Sequence, residues 1–153
     1  MNTTTIRAAG LALAVLLLCA GLAQAQSKKK SPAQAPAETV VAQASPEQLA
    51  AADMVLLGTS QCEFNQTVEV SPSDKHRGYV DLRHGKRTYL MKPVLSSTGA
   101  MRLEDVRGEA LYLQIANKSM LLNTRTGQRM VDECVHERQR AAAQAVRAAQ
   151  AGN

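Results

Sequence analysis

Between residues 59 and 134, apolar and polar side chains alternate with a period of two, a pattern typical of half-buried β-strands. Turn clusters rich in Gly, Ser, Asn and Asp interrupt the alternation at regular intervals. The first strand is predicted near Cys62 and Phe64, and the others at 67–70, 78–83, 87–94, 101–106, 110–115, 119–123 and 128–131. Seven or eight short strands at this spacing predict an antiparallel barrel or sandwich.

Two flanking segments have helical patterns. Ser45 is a good capping residue and Pro46 suits the first helical position, so a short helix is predicted over 45–58, ending at Gly58. The apolar run near its end also fits a strand, because short apolar runs have no decisive period. The Ala-rich segment 135–153 predicts a helical tail that buries little surface and projects from the domain.

The first 25 residues have the zones of an export signal. Arg7 precedes an apolar run, and small residues at Ala23 and Ala25 predict cleavage before Gln26. The alternative is a retained anchor, but the run is shorter than the roughly 20 residues that a membrane span needs. We therefore predict a periplasmic protein, with outer-membrane association or surface exposure as the alternative localisation.

A lipid anchor on Cys19 is a further alternative, although the bulky Leu18 precedes this cysteine where a small residue is preferred. Membrane contact is thus expected only through the cleaved signal or such a lipid. Residues 26–44 are rich in Ala, Gln, Pro, Ser and Lys and predict a disordered linker. The run Lys28-Lys29-Lys30 within it is typical of a solvated tail.

Signal cleavage leaves two cysteines, Cys62 and Cys134. A single pair in an exported chain predicts a disulfide, with two free buried thiols as the alternative. The bond would close a loop of 72 residues. In the chain-entropy model, closing such a loop stabilises the folded state by about 4 kcal/mol. It would also tie the two ends of the sheet together.

Catalytic and cofactor motifs are missing from the sequence. No Gly-x-Ser-x-Gly elbow frames a serine, and the three histidines lack the spacing of metal ligands. Tryptophan is absent and other aromatic residues are few, which argues against a nucleic-acid surface or a sugar-stacking platform. We predict a protein that is not an enzyme and has no cofactor and no metal.

The candidate chemistry is therefore recognition by loops on a rigid sheet. The loop after the strand at 87–94 carries the hydroxyls of Ser97 and Thr98, a flexible Gly99 and then Arg102. The second candidate is Lys118, at the tip of a hairpin; its alternative interpretation is a polar turn with a solvated lysine.

A set of residues between 59 and 134 points to a known family: Cys62, Cys134, Gly85-Lys86-Arg87, Met91 and Pro93-Val94. On these residues, the region from about 59 to 134 resembles the MliC/PliC group, periplasmic or membrane-bound inhibitors of c-type lysozyme, and the related neisserial adhesin complex protein. Segment 98–103 resembles the Ser-Gly-x-x-Tyr loop of the inhibitors, with Thr98 in place of Ser and Leu103 in place of Tyr. Segment 113–118 resembles a later segment that ends in Thr-Lys-Gly, with the lysine displaced.

The resemblance implies a compact eight-stranded antiparallel barrel. It also implies that a loop hydroxyl, from Thr98 or Ser97, and the ammonium of Lys118 enter the lysozyme cleft, which is built around two carboxylates. Gly99 and Arg102 belong to the same expected lysozyme-binding surface. The predicted function is inhibition of c-type lysozyme by occlusion of its cleft. The alternative is a non-enzymatic envelope interaction or adhesin-like module on the same barrel.

Overall fold

A computed structural model describes residues 39–152, so the predicted signal peptide, Cys19 and most of the predicted linker lie outside the described residues. Eight strands form one sheet, and a helix stands on either side of them in sequence. The helices are α1 (Pro46–Asp53) and α2 (Glu137–Ala151). The strands are β1 (Gly58–Gln61), β2 (Thr67–Pro72), β3 (Val80–His84), β4 (Arg87–Leu95), β5 (Met101–Asp105), β6 (Ala110–Gln114), β7 (Ser119–Asn123) and β8 (Arg129–Cys134).

The strands pair in sequence order, and every neighbouring pair is antiparallel. Alternate residues are buried along β2 to β7, as the period-two pattern predicts; on β6 these are Ala110, Tyr112 and Gln114. Strand β8 departs from the pattern, because the consecutive residues Val131 and Asp132 are both buried. Tyr112 lies opposite Leu103 of β5, and both side chains are fully buried. The sheet curls into a nearly closed barrel around this core, which confirms the all-β prediction and selects the barrel over the sandwich.

A short seam joins the first strand to the last. Gln61 and Val135 exchange two backbone hydrogen bonds, of 3.2 and 2.7 Å. Beside them, the predicted disulfide between Cys62 and Cys134 is present. The Glu63 carboxylate accepts a hydrogen bond of 2.9 Å from the backbone N–H of the buried Asp132. The disulfide, the two backbone hydrogen bonds and the Glu63 side chain therefore all join the first and last strands at this seam.

The predicted first strand is wrong at Phe64. Residues 63–65 form a 3₁₀ turn, in which Phe64 and Asn65 have positive φ angles of 54° and 56°. The Phe64 side chain is 83% exposed and contributes nothing to the core. The true first strand, Gly58–Gln61, lies just before Cys62 and buries only Ser60.

Successive connections in an up-and-down barrel alternate between its two ends. The β2–β3, β4–β5 and β6–β7 connections therefore share one end with α1 and α2, which we call the helix end. The β3–β4, β5–β6 and β7–β8 connections share the other end, which we call the turn end.

Helix α1 closes the helix end but is shorter than predicted. It ends at Asp53, not at Gly58, and the segment after it is neither helix nor strand. Val55 enters the barrel core there. The buried Gln114 amide forms two 3.0 Å hydrogen bonds with the backbone N–H and carbonyl of Leu56. One side chain thus satisfies the backbone groups that a longer helix would have paired.

The end of the predicted linker, residues 39–44, contacts the barrel. The Tyr79 hydroxyl donates a 2.7 Å hydrogen bond to the carbonyl of Ala42. Ala44 lies against Gly78, whose carbonyl accepts a 3.0 Å hydrogen bond from the Gln48 amide of α1. The β2–β3 connection therefore contacts both this stretch and the first turn of α1.

Helix α2 is anchored at its start and exposed beyond it, in agreement with the predicted tail. His136 caps the helix and forms a reciprocal capping box with Gln139. The buried Gln139 amide also donates hydrogen bonds of 2.7 Å to the carbonyl of Ile115 and 3.0 Å to the Ser119 hydroxyl. These bonds attach α2 to the helix end of the barrel.

Candidate functional site

The predicted binding loop is the β4–β5 connection, at the helix end. Its fold is set internally: Gly99 donates a 3.0 Å hydrogen bond to the Ser96 carbonyl, and the Ser96 hydroxyl accepts one of 3.1 Å from the Ala100 N–H. Gly99 has a φ of 81°, in the left-handed region that suits glycine. Ser97 and Thr98 are exposed at the tip. The loop thus presents two hydroxyl side chains on a defined backbone.

These hydroxyls differ in their surroundings. The Thr98 hydroxyl shares a 2.9 Å hydrogen bond with that of Ser96. Ser97 has no side-chain partner among residues 39–152. Of the two residues that the sequence proposes, Ser97 is the better placed to give its hydrogen bonds to another molecule, while Thr98 helps to hold the loop.

Arg102 lies on β5, beyond the loop, and is paired already. Its guanidinium lies 3.0 Å from the Glu104 carboxylate, two residues along the same strand face. Both side chains are about half exposed, so the pair adds little to stability. Arg102 therefore borders the predicted surface and does not stand at its centre.

Lys118 is the predicted cation, and the structure surrounds it with carboxylates. Its Nζ lies 3.3 Å from Asp132 and forms a still shorter hydrogen bond with Glu133, and its side chain is only 23% exposed. The Glu133 bond is the main cause of a raised Lys118 pKa. The backbone N–H of Glu133 lowers the pKa of Asp132, with a further contribution from Lys118. The ammonium is thus charged, directed towards β8 and compensated within the chain.

The helix end also carries an exposed apolar surface that the sequence analysis did not identify. A shallow cavity of about 220 Å³ lies between the loop and the β6–β7 turn. Its lining residues are Met54, Leu56, Leu95, Gly99, Met101, Gln114, Ile115 and Ala116. Met54 and Leu95 also line a larger groove, of about 480 Å³, between α1 and β4. We call Met54, Leu95, Ile115 and the loop tip 97–99 the helix-end face.

Two of the three histidines, His84 and His136, form hydrogen bonds within the fold. His136 caps α2, and its other ring nitrogen lies 2.9 Å from the Leu57 carbonyl. His84 lies 2.9 Å from the Gln66 amide, and burial lowers its pKa. Within residues 39–152, no cluster of His, Cys, Asp and Glu has the arrangement of a metal site. The same residues contain no helix that is both long enough and apolar enough to span a bilayer.

Fold and site together define a class: a disulfide-closed antiparallel barrel with an apolar, hydroxyl-bearing face at one end. Comparisons with known proteins found no family model, no curated protein and no solved structure that matches the chain. The resemblance to the MliC/PliC group therefore stays a prediction from the residues quoted above.

Proposed function

We propose that this protein is an exported, non-enzymatic inhibitor of c-type lysozyme that binds through the helix-end face and occludes the catalytic cleft. One observation supports the proposal most. The loop tip that carries Ser97 and Thr98 projects beside an exposed apolar cavity, at the same end of the barrel as the Lys118 hairpin. A protruding polar loop next to an apolar surface suits insertion into the cleft of another protein.

The structure modifies the mechanism that the resemblance implies. Moving Lys118 into a partner's cleft would leave the carboxylates of Asp132 and Glu133 without their cation. That cost opposes the gain from pairing with a lysozyme carboxylate. We therefore assign insertion to the hydroxyl loop. Lys118 holds the β6–β7 turn against β8 and so supports the far side of the cavity.

A turbidity assay tests this function. Oxidised mature protein is mixed with hen-type lysozyme and a bacterial suspension, and the rate of clearing is followed. The Ser97→Ala/Thr98→Ala variant should lose about tenfold to a hundredfold in inhibitory potency, since both loop hydroxyls are removed. Leu95→Ser should weaken inhibition similarly, by making the apolar cavity polar.

Thr88→Ala is the matched control, because Thr88 is an exposed threonine on β4 outside the helix-end face; its potency should equal that of the wild type. Lys118→Ala should have a smaller effect than the loop variant. If Lys118→Ala abolishes inhibition while the loop variant keeps full potency, insertion of the ammonium is the mechanism and our assignment is wrong. If the wild type does not slow lysis at micromolar concentration, the proposed function is rejected.

The second candidate function is an envelope interaction module that binds a different protein. The internal compensation of Lys118 favours it, because an apolar face without a free cation has no special match to a cleft with two carboxylates. This candidate predicts unslowed lysis together with no calorimetric signal on mixing with lysozyme. Lysozyme binding that Leu95→Ser weakens would exclude it.

A further inference from the structure

Three arginines converge at the turn end, far from the helix-end face. Arg87 follows the β3–β4 turn, Arg107 lies in the β5–β6 connection and Arg125 in the β7–β8 connection. All three guanidinium groups approach one carboxylate, that of Glu109, at 3.6, 4.0 and 3.6 Å respectively. The start of β4 and two separate connections therefore each contribute one arginine to a single point. We call Arg87, Arg107 and Arg125 the arginine cluster.

Glu109 does not use up the hydrogen-bonding capacity of these arginines. None of the three contacts is as short as a charge-assisted hydrogen bond, which is about 2.7–2.9 Å long. The arginine side chains are 64%, 48% and 70% exposed, whereas Glu109 is 26% exposed. Each guanidinium has five N–H donors. Within residues 39–152, the one side-chain hydrogen bond that uses them is a 3.4 Å contact from Arg87 to the Tyr89 hydroxyl. Glu109 thus lies beneath a layer of outward-facing cations.

Positive charge also remains in excess. The buried carboxylate of Asp105 is the second anion at this site, with one oxygen 3.9 Å from Nε of Arg107. Three guanidinium groups therefore face two carboxylates. Both carboxylates are less exposed than the guanidinium groups, so the exposed surface of the cluster is positively charged. A bound anion would relieve the mutual repulsion of the guanidinium groups.

The residues beneath the cluster, and Arg87 within it, are held in place before any ligand arrives. Asp105 accepts a 3.0 Å hydrogen bond from the Glu109 N–H, and the Glu109 carbonyl accepts one of 3.1 Å from Thr124. Arg87 lies over the ring of the buried Tyr89, with its guanidinium carbon 5.7 Å from the ring centre. Such preorganisation lowers the entropy that binding costs.

We propose that the arginine cluster is a binding site for a phosphomonoester or pyrophosphate group. The planar fork of arginine matches phosphate oxygens in bidentate geometry. A phosphomonoester carries about −1.5 to −2 charges at pH 7, so it compensates the excess more completely than a single carboxylate does. The ligand binds on the solvent side of the guanidinium groups, away from the carboxylate of Glu109.

Calorimetric titration of the oxidised mature protein with pyrophosphate, at constant ionic strength, tests the site. We expect saturable binding that weakens about tenfold in Arg125→Gln and further in Arg107→Gln/Arg125→Gln. Arg83→Gln is the matched control: it removes the same charge from a 64%-exposed arginine of β3 that pairs with Glu69. Its affinity should be unchanged. Lysozyme inhibition should be unchanged in Arg125→Gln, which separates this site from the proposed function.

Flotation with vesicles of phosphatidylcholine, with and without phosphatidic acid, distinguishes a lipid-borne from a soluble phosphate. The variant with Lys28–Lys30 replaced by alanine measures any contribution of the basic run. Binding to phosphatidic acid that Arg125→Gln reduces identifies a lipid headgroup, and pyrophosphate binding without vesicle binding identifies a soluble ligand. If neither probe binds, or if Arg83→Gln weakens binding as much as Arg125→Gln does, the site is overturned.

Discussion

Gly78→Ala tests the packing that closes the helix end. Gly78 has a φ of 82°, a conformation that side chains with a Cβ rarely adopt. A Cβ there would lie 2.6 Å from the Cβ of Ala44 and 2.8 Å from a methyl carbon of Leu49. The Leu49 side chain can rotate, but the Ala44 Cβ moves only with its backbone. Relief therefore requires a shift of the segment that leads into α1.

Two terms set the magnitude. The left-handed conformation costs a residue with a Cβ about 1–2 kcal/mol, and overpacking adds about 1–3 kcal/mol. Gly78→Ala should therefore lower the free energy of unfolding by about 2–5 kcal/mol. A shift of α1 would also stretch the 3.0 Å hydrogen bond from Gln48 to the Gly78 carbonyl.

Gly99→Ala is the matched control for this prediction. Gly99 has nearly the same φ, 81°, but a Cβ added there would meet nothing within 4 Å. The free energy of unfolding of Gly99→Ala should therefore fall only by the cost of the left-handed conformation, about 1–2 kcal/mol. Urea unfolding of the oxidised protein, followed by circular dichroism, measures both variants. Ala44→Gly/Gly78→Ala should recover much of the packing term, and equal losses in the two single variants would refute the reasoning.

Two further predictions concern the seam. Replacing Cys62 and Cys134 together with serine should lower the free energy of unfolding by about 4 kcal/mol, the chain-entropy value for a loop of 72 residues; a loss below about 1 kcal/mol would show that the bond does not close the barrel. Asp132 has a pKa below its ordinary 3.8, so its contribution is present above that pH and is lost as the pH falls through the folded-state pKa. Urea unfolding from pH 7 to pH 2.5 should therefore show Asp132→Asn less stable than the wild type at pH 7 and converging with it below pH 4; a constant difference would contradict the pKa assignment.

The period-two alternation was sufficient to predict most of the sheet, because a one-sided strand must bury every second residue. The contact between Asp132 and Glu63 is a feature that the alternation pattern could not predict. These two residues meet across the seam although 69 residues separate them, and no local pattern encodes such a contact. The role of Gln114 was also not predictable from the local pattern. The alternation predicts only that Gln114 lies in a strand, whereas its amide holds the segment after α1 through two hydrogen bonds to Leu56. Phe64 misled the pattern because its apolar side chain sits on an exposed turn.

The candidate site was predicted in part. Small polar residues around Gly99 indicated a loop, and the loop is present at the tip of a hairpin. Lys118 was expected to be free, but its partners Asp132 and Glu133 come from β8, which pairs directly with β7 so that Ser119, next to Lys118, lies opposite Cys134. The exposure of Met54 and Leu95 also depends on how α1 sits on β4. Tertiary packing alone determines these features.

The most direct test of the helix-end face is a nuclear magnetic resonance titration of isotope-labelled protein, residues 26–153, with hen-type lysozyme. We predict that amide signals of the loop 96–100 and the turn 115–118 shift or broaden, while those of the turn-end connections at 106–109 and 124–128 stay unchanged. Perturbations confined to the turn end, or no perturbation at lysozyme concentrations in the tens of micromolar, would contradict the account.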